Sequence, residues 1–306
     1  MGKKTIGLDI GSDSVKMALV HNGTVRNLAA AELPEGLISQ GGIKNVQALA
    51  KFLRELARKN GLHAKQCALA LPVHQAFTLC LNMAEMTEKQ LLLNLPYEFR
   101  DYINEEPEQY FYDYALISRS VNDLGESRLE LLAACARKDT VHAYADLCRR
   151  AGWTLTTVVS TQVAYWNLLN SYRGKHQEPS EFCLVDLGHS GTRLFIYSGR
   201  SLEAERITEV SSGDSADTRA QSALEISRAL NFYAYSNRGN QLQSVWLCGG
   251  GALDGEAVAA VREVLSLQVR DASGSVQVLD VSELMPHAEQ NRELAALCPA
   301  AVGAAL

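Results

Sequence analysis

Residues 6–25 read IGLDIGSDSVKMALVHNGTV, and residues 183–202 read CLVDLGHSGTRLFIYSGRSL. Each opens as an apolar strand that ends in Asp-X-Gly, Asp9 to Gly11 in the first and Asp186 to Gly188 in the second. Small polar residues follow, then a basic one (Lys16 or Arg193), then a second apolar strand and a turn, Asn22-Gly23 or Ser198-Gly199. A single Asp-X-Gly after a strand is ordinary turn chemistry. Two copies in register, each spanning strand, turn, polar run and return strand, predict two related half-molecules facing one ligand.

The residue types suggest what that ligand is. A hairpin bent at a glycine presents backbone N–H groups outside the ladder, and such concave arrays bind anions, above all phosphate. Gly11, Ser12, Asp13, Ser14 and Lys16 make one candidate phosphate turn; Gly188, His189, Ser190, Gly191 and Thr192 make the other. The hydroxyls add donors, and Lys16 adds a point charge suited to phosphate. Asp9 and Asp186 stand where each strand ends, positioned to hold Mg²⁺ through its waters, because magnesium dehydrates reluctantly. A third glycine feature lies downstream. The strand 245–248 runs into Gly249-Gly250-Gly251, and a helix follows with Asp254 as its N-cap. Bare backbone at such a crossing lets a flat ring or a phosphate approach closely.

Composition fits a soluble globular chain with room for two domains: 306 residues, 47% hydrophobic and 21% charged. A net charge of −6 and the lack of any Lys/Arg run argue against a nucleic-acid partner. The seven cysteines form no CxxC pair and lie mostly in apolar runs, as reduced core residues do. The chain enters a core strand within a few residues, so no leader is expected. It also has no apolar stretch long enough to span a bilayer. The terminal PAAVGAAL offers no basic or aromatic face to a membrane. A cytoplasmic location follows, with membrane attachment only through a partner.

Periodicity gives the order of elements. A three-strand meander over 3–33 precedes a helix over 46–60, with Leu49, Phe52, Leu53 and Leu56 inward and Gly61 as its stop, and then a strand over 66–71. Residues 75–83 read as a strand, and 87–103 as a helix with Thr87 and Gln90 as capping box and a core stripe of Leu92, Leu95, Phe99 and Ile103. A hairpin over 109–118 and 128–136 and a helix over 138–151 complete an inserted unit. Strand 154–159 and helix 161–173 rejoin the core, and Gly174 and Pro179 break the polar linker 171–181. The second half repeats the plan with hairpin 182–208, helix 216–236, strand 244–248, helix 254–266, strand 276–280 and a last helix near 293–306. Ala223, Ile226, Leu230 and Tyr233 form the core stripe of the 216–236 helix.

At the level of motifs, Asp9–Lys16, Asp186–Thr192 and Gly249–Gly251 resemble the two phosphate motifs and the adenosine motif of the actin-like ATPase superfamily. Within it the chain most resembles the PilM family of type IV pilus assembly, a relative of the division protein FtsA. The matching stretches are GLDIGSDSVK (7–16), ELPEGLISQGGI (32–43), CALALPVHQAF (67–77), the segment 131–152 and ISRALNFY (226–233). The resemblance implies an α/β, actin-like (ribonuclease H-like) duplicated fold. Residues 1–73 with 153–175 would form the first core half and 74–152 the FtsA/PilM-type inserted subdomain. Residues 176–306 would form the second half, with a shortened helical subdomain near 209–240.

The resemblance also implies ATP and Mg²⁺ as ligands. Relatives grip ribose and adenine with an acid and a lysine on a helical subdomain that is short here, leaving Glu225 and Arg228 as the substitutes. Gln162, at the start of a connecting helix, is the candidate for orienting an attacking water, in a slow ATPase at most. The family's partner is the cytoplasmic N-terminal tail of a PilN-like inner-membrane protein, captured beside the inserted subdomain. There Tyr97, Tyr102, Tyr110 and Tyr112, in an acidic surround, are candidates for a partner groove that would favour a basic tail. Self-association is a further implied property. Three readings stand at this point: a nucleotide-binding assembly scaffold, a nucleotide-independent adaptor, and an FtsA-like polymer former.

Overall fold

Alternating apolar residues and the Asn22-Gly23 turn, with φ of +52° and +69°, fold the first thirty residues into a meander. In the computed structural model its strands are β1 (Lys4–Ile10), β2 (Ser14–His21) and β3 (Thr24–Glu32). The structure describes residues 3–39, 42–122, 124–173, 181–188, 191–198, 201–210, 215–236, 242, 244–266, 276–279, 281–285 and 292–306. Two compact units result: residues 1–171 with 300–306, and residues 172–299.

In the first unit a short hairpin, β4 (Ile38–Ser39) with β5 (Gly42–Ile43), leads to α1 (Val46–Lys59), capped by the Asn45 side chain. Leu49 and Leu53 of α1 are fully buried, and Phe52 and Leu56 pack half-buried beside them. β6 (Gln66–Leu71) then lies parallel to β1. After the insertion β10 (Thr154–Ser160) pairs parallel to β6, giving a sheet in the order β10-β6-β1-β2-β3. Its core is Ile6, Leu8, Met17 and Leu69 against α1 and α3 (Lys138–Ala151).

The insertion is its own small layer. β7 (Ala76–Ala84), β8 (Tyr110–Val121) and β9 (Ser127–Arg137) form an antiparallel sheet in the order β7-β9-β8, covered by α2 (Glu88–Glu98). The Thr87/Gln90 capping box forms as expected, but α2 ends at Glu98 rather than 103, just past Pro96, whose missing N–H weakens the ladder. Its buried stripe is Leu91, Leu95 and Phe99; Leu92, expected inward, is 41% exposed, because the i, i+4 row set by the cap runs through Leu91.

α4 (Thr161–Arg173) follows β10. The second unit begins with β11 (Glu181–Gly188), β12 (Gly191–Ser198) and β13 (Ser201–Thr208). α5 (Ala216–Ser236), β14 (Ser244–Cys248), α6 (Gly255–Leu265) and β15 (Val276–Val278) complete a sheet in the order β13-β12-β11-β14-β15. Antiparallel hairpin, then parallel neighbours: this is the strand plan of the first unit over again. Ala223, Ile226, Leu230 and Tyr233 of α5 are buried against it, as the stripe predicts. The final helix is two, α7 (Arg292–Leu297) and α8 (Pro299–Ala305), separated where Pro299 lacks an N–H. α8 lies in the first unit so close to β1 that a Cβ on Gly7 would stand 1.8 Å from the Ala301 carbonyl oxygen.

Candidate functional site

In the β1–β2 hairpin the register sets Asp9 opposite Lys16 at the strand end, with Gly11–Asp13 as the turn. The turn is more self-contained than the sequence suggests. The Gly11 N–H donates to the Ser14 carbonyl (2.9 Å), and the Ser12 hydroxyl donates to the Asp13 carboxylate (2.6 Å). Lys16 is different: among the described residues it makes no hydrogen bond or ion pair. Its ammonium lies 3.8 Å from where a Gly11 Cβ would stand. Asp9 is half-buried beside Tyr144 of α3, a neighbour that no local sequence pattern places there. Burial, and then the Asp9 charge, push the Tyr144 phenol up to about 12.

The β11–β12 hairpin carries the same register, Asp186 opposite Arg193, and here the pair is closed: Arg193 Nη1 lies 3.0 Å from Asp186 Oδ2. The two side chains are 26% and 10% exposed. Gly188 and Gly191 face each other across the turn; His189 and Ser190, the centre of the second candidate phosphate turn, lie outside the described residues. Thr192 corrects the sequence reading. It is fully buried, its hydroxyl donating to the Val210 carbonyl (3.0 Å) and lying 3.0 Å from Ser222 Oγ of α5. Strand alternation aims Thr192 into the core, so its hydroxyl is not open to a phosphate.

Gly249 sits at φ +85° directly behind Asp186: a Cβ there would lie 2.4 Å from Asp186 Oδ1. Its N–H donates to the Ala296 carbonyl, and a 3₁₀ turn over Gly250–Leu253 delivers the chain to Asp254, the N-cap of α6. Gly250 is exposed while Gly249 and Gly251 are buried, so little bare backbone faces outward. Arg219 of α5 bonds Asp254 through Nε (2.6 Å) and reaches Glu256 (2.7 Å), holding the Asp254 carboxyl below the usual range. Glu225 and Arg228 pair with each other across one turn of α5 (2.6 Å). Gln162 is 2% exposed in the first turn of α4, enclosed rather than presented. No group of three or more His, Cys, Asp or Glu side chains able to hold a metal occurs among the described residues.

The insertion contributes two concavities. One, of about 830 Å³, is lined by Leu93, Tyr97, Tyr110 and Tyr112 with Glu105, Glu106 and Glu108 at its rim. Three of the four candidate tyrosines meet there; Tyr102 does not line it. Tyr110 is 5% exposed and packs with Leu95 and Phe99, so it is core as much as groove. The Tyr112 hydroxyl donates to the Pro107 carbonyl (3.1 Å), and burial pushes its phenol up to about 12. The second concavity, about 390 Å³ and mostly apolar, opens where the inserted sheet meets β10 and α4, among Leu71, Phe111, Val141, Val158 and Val163. Tyr112 lines both. Sequence periodicity carries no sign of this second groove, because its walls come from seven separate elements, β6 to β10 with α3 and α4.

A family model described as type IV pilus assembly protein PilM matches residues 7–208. Among solved structures, a PilM–PilN type IV pilus biogenesis complex is similar over 98% of this chain and 97% of that one, with 19% identity and a TM-score of 0.80. The ethanolamine utilization protein EutJ of Carboxydothermus hydrogenoformans is similar over 100% of this chain and 89% of that one (13% identity, TM-score 0.55). A Bacteroides thetaiotaomicron protein with an actin-like ATPase fold is similar over 94% of each chain (10% identity, TM-score 0.53). No curated protein matches the chain. The fold is therefore actin-like. No helix among the described residues is long and apolar enough to cross a membrane.

Proposed function

The chain belongs to the PilM family of type IV pilus assembly proteins, and from that premise we propose that it is a scaffold for the cytoplasmic N-terminal tail of a PilN-like inner-membrane protein, in a type IV pilus or a related secretion or competence apparatus. The observation that carries this reading is the apolar concavity of about 390 Å³ between the inserted sheet and β10. An apolar side chain of an extended tail fits such a recess, and β8 and β10, each at the edge of its sheet, offer backbone groups for pairing. The acid-rimmed groove that shares Tyr112 supports a tail carrying Lys or Arg beyond its apolar anchor. Membrane attachment then comes through the partner.

ATP is the proposed nucleotide. Lys16 and the Ser14 hydroxyl would hold phosphate at the first turn, and the ammonium beside Gly11, which makes no ion pair among the described residues, is the feature of this chain that fits the group. Asp9 would hold Mg²⁺ through water, and bound Mg²⁺ would supply charge neutralisation at the phosphate oxygens. Asp186, the second candidate metal residue, is engaged by Arg193 and fits a cation less well. With Gln162 enclosed, the proposal is a nucleotide-bound scaffold with slow turnover at most.

The Asp186–Arg193 pair and the engaged Thr192 hydroxyl favour a second reading, an adaptor that keeps the fold and needs no nucleotide. Two titrations separate these. A PilN-like tail peptide should bind the wild type and lose at least about tenfold in affinity with Val158→Asp, which puts a charge in the apolar recess; unchanged affinity would refute the docking site. Calorimetric titration of ATP with Mg²⁺ should give binding that Lys16→Ala abolishes. Tail binding without any ATP binding would move the adaptor reading ahead.

A further inference from the structure

At the opposite end of β1 from Gly11, about 20 Å away along the strand, lies a third concavity of about 1160 Å³. Five of its twelve lining residues are cations, Lys3, Lys4, Arg54, Arg58 and Lys65, and none is Asp or Glu. His21 and His63 stand among them, and Leu62 and Trp153, both buried, form an apolar floor. All five cations are exposed, and among the described residues none of them makes an ion pair. The chain as a whole carries −6, so the cluster runs against its own background. It is invisible as a run in the sequence because topology assembles it. The start of β1, the end of β2, the last turns of α1 and the loop before β6 meet at one edge of the unit: Lys4 pairs with His21, and Thr5 with Gln66.

Like charges gathered in one place repel and need a counter-charge. The carbonyl end of α1, which points its negative end here, offsets a part of that repulsion. The rest calls for an anion from outside.

We propose that this basic concavity docks the chain directly onto anionic phospholipid headgroups, with their phosphates against the five cations. The cations sit on long exposed stems around a wide mouth, the arrangement that suits a charged surface; a site for one free phosphate would enclose its donors. The inference does not rest on tail docking or on ATP. It adds a direct membrane contact to the one made through a partner.

The test uses the full chain alone, with no partner protein. Co-sedimentation with phosphatidylcholine vesicles should be negligible, and with vesicles that also contain phosphatidylglycerol it should be substantial and fall steeply with salt. Arg54→Gln/Arg58→Gln/Lys65→Gln should weaken it about a hundredfold, at about fivefold per cation. The matched control Lys44→Gln/Lys51→Gln/Lys89→Gln removes the same charge elsewhere and should cost far less. Thermal midpoints close to wild type show that both variants remain folded. The proposal is overturned if anionic vesicles fail to bind, or if the two triple variants lose equally. It is also overturned if inorganic phosphate or glycerophosphate, titrated by calorimetry, binds at this cluster while vesicles do not.

Discussion

Removing either member of the Asp186–Arg193 pair should destabilise the second unit, and removing both should not. The guanidinium nitrogen and carboxylate oxygen are 3.0 Å apart on adjacent strands, 26% and 10% exposed as side chains. At an effective dielectric of about 20 their gross attraction is about 5 kcal/mol, and desolvation cancels most of it. What remains after one truncation is a poorly hydrated charge that has lost this contact. That costs about 3–5 kcal/mol when burial is complete. Arg193 retains a quarter of its exposure, so Asp186→Ala should cost about 2–3 kcal/mol, and Arg193→Ala, which strands the more buried carboxylate, about 3–4 kcal/mol. For a unit of this size the midpoint should fall by roughly 8–15 °C. The double variant Asp186→Leu/Arg193→Met, which replaces both charges with apolar volume, should lie within about 1 kcal/mol of wild type. Urea unfolding of wild type, Asp186→Leu, Arg193→Met and their double variant closes the cycle and gives the coupling directly. Two single substitutions each costing under about 0.5 kcal/mol, and adding without coupling, would refute the reasoning. The cycle also bears on function: a loss of ATP binding in Asp186→Ala means little unless the fold has survived, so the double variant is the proper control.

Two further outcomes follow from single sites. Gly249→Ala places a Cβ 2.4 Å from Asp186 Oδ1 at a backbone φ of +85°, and should cost about 2–4 kcal/mol in urea unfolding; a change under about 0.5 kcal/mol would mean the loop moves aside freely. The Tyr144 phenol, raised by burial to about 12 from an ordinary 10, stays protonated in the folded state at a pH where the unfolded chain has released its proton. Its contribution is therefore complete below pH 10 and is lost as pH rises from 10 to 12, about 2–3 kcal/mol in all. Tyr144→Phe should flatten that alkaline limb of the stability profile, and an unchanged slope would show that the phenol does not titrate there.

What could be read from the sequence was whatever depends on neighbours along the chain. The duplicated hairpins, the Asn22-Gly23 turn, the Thr87/Gln90 capping box and the Asp254 cap each rest on a few adjacent residues, and each forms as expected. Errors arise where a side chain's direction depends on a distant element. Thr192 reads as a donor at a turn, but Gly191 starts the strand, and the next residue must then face α5. Leu92 and Leu91 are indistinguishable by composition until the cap fixes the row of α2 that faces the sheet. Tyr110 reads as surplus aromatic surface because nothing local shows Phe99 waiting to cover it. The basic concavity draws on residues from 3 to 153 and has no sequence signature at all.

The two hairpins share a register yet differ in one respect that matters for the ligand. Each sets a carboxylate opposite a basic residue, Asp9 with Lys16 and Asp186 with Arg193. Arginine's planar fork closes the second pair, whereas the Lys16 ammonium lies beside Gly11 and forms no ion pair among the described residues. Under the proposed function, a phosphate would meet at the first hairpin a cation that makes no ion pair among the described residues; at the second, a metal would have to compete with a guanidinium already in place. The first copy is thus the better fitted to the proposed ligand, while the second braces its own sheet. Replacing Arg193 with Lys, a shorter-reaching point charge, should loosen that brace and free Asp186 Oδ2. If Mg²⁺-dependent ATP binding then strengthens, the ion pair restrains the site; if it does not change, the second carboxylate has no part in holding the metal.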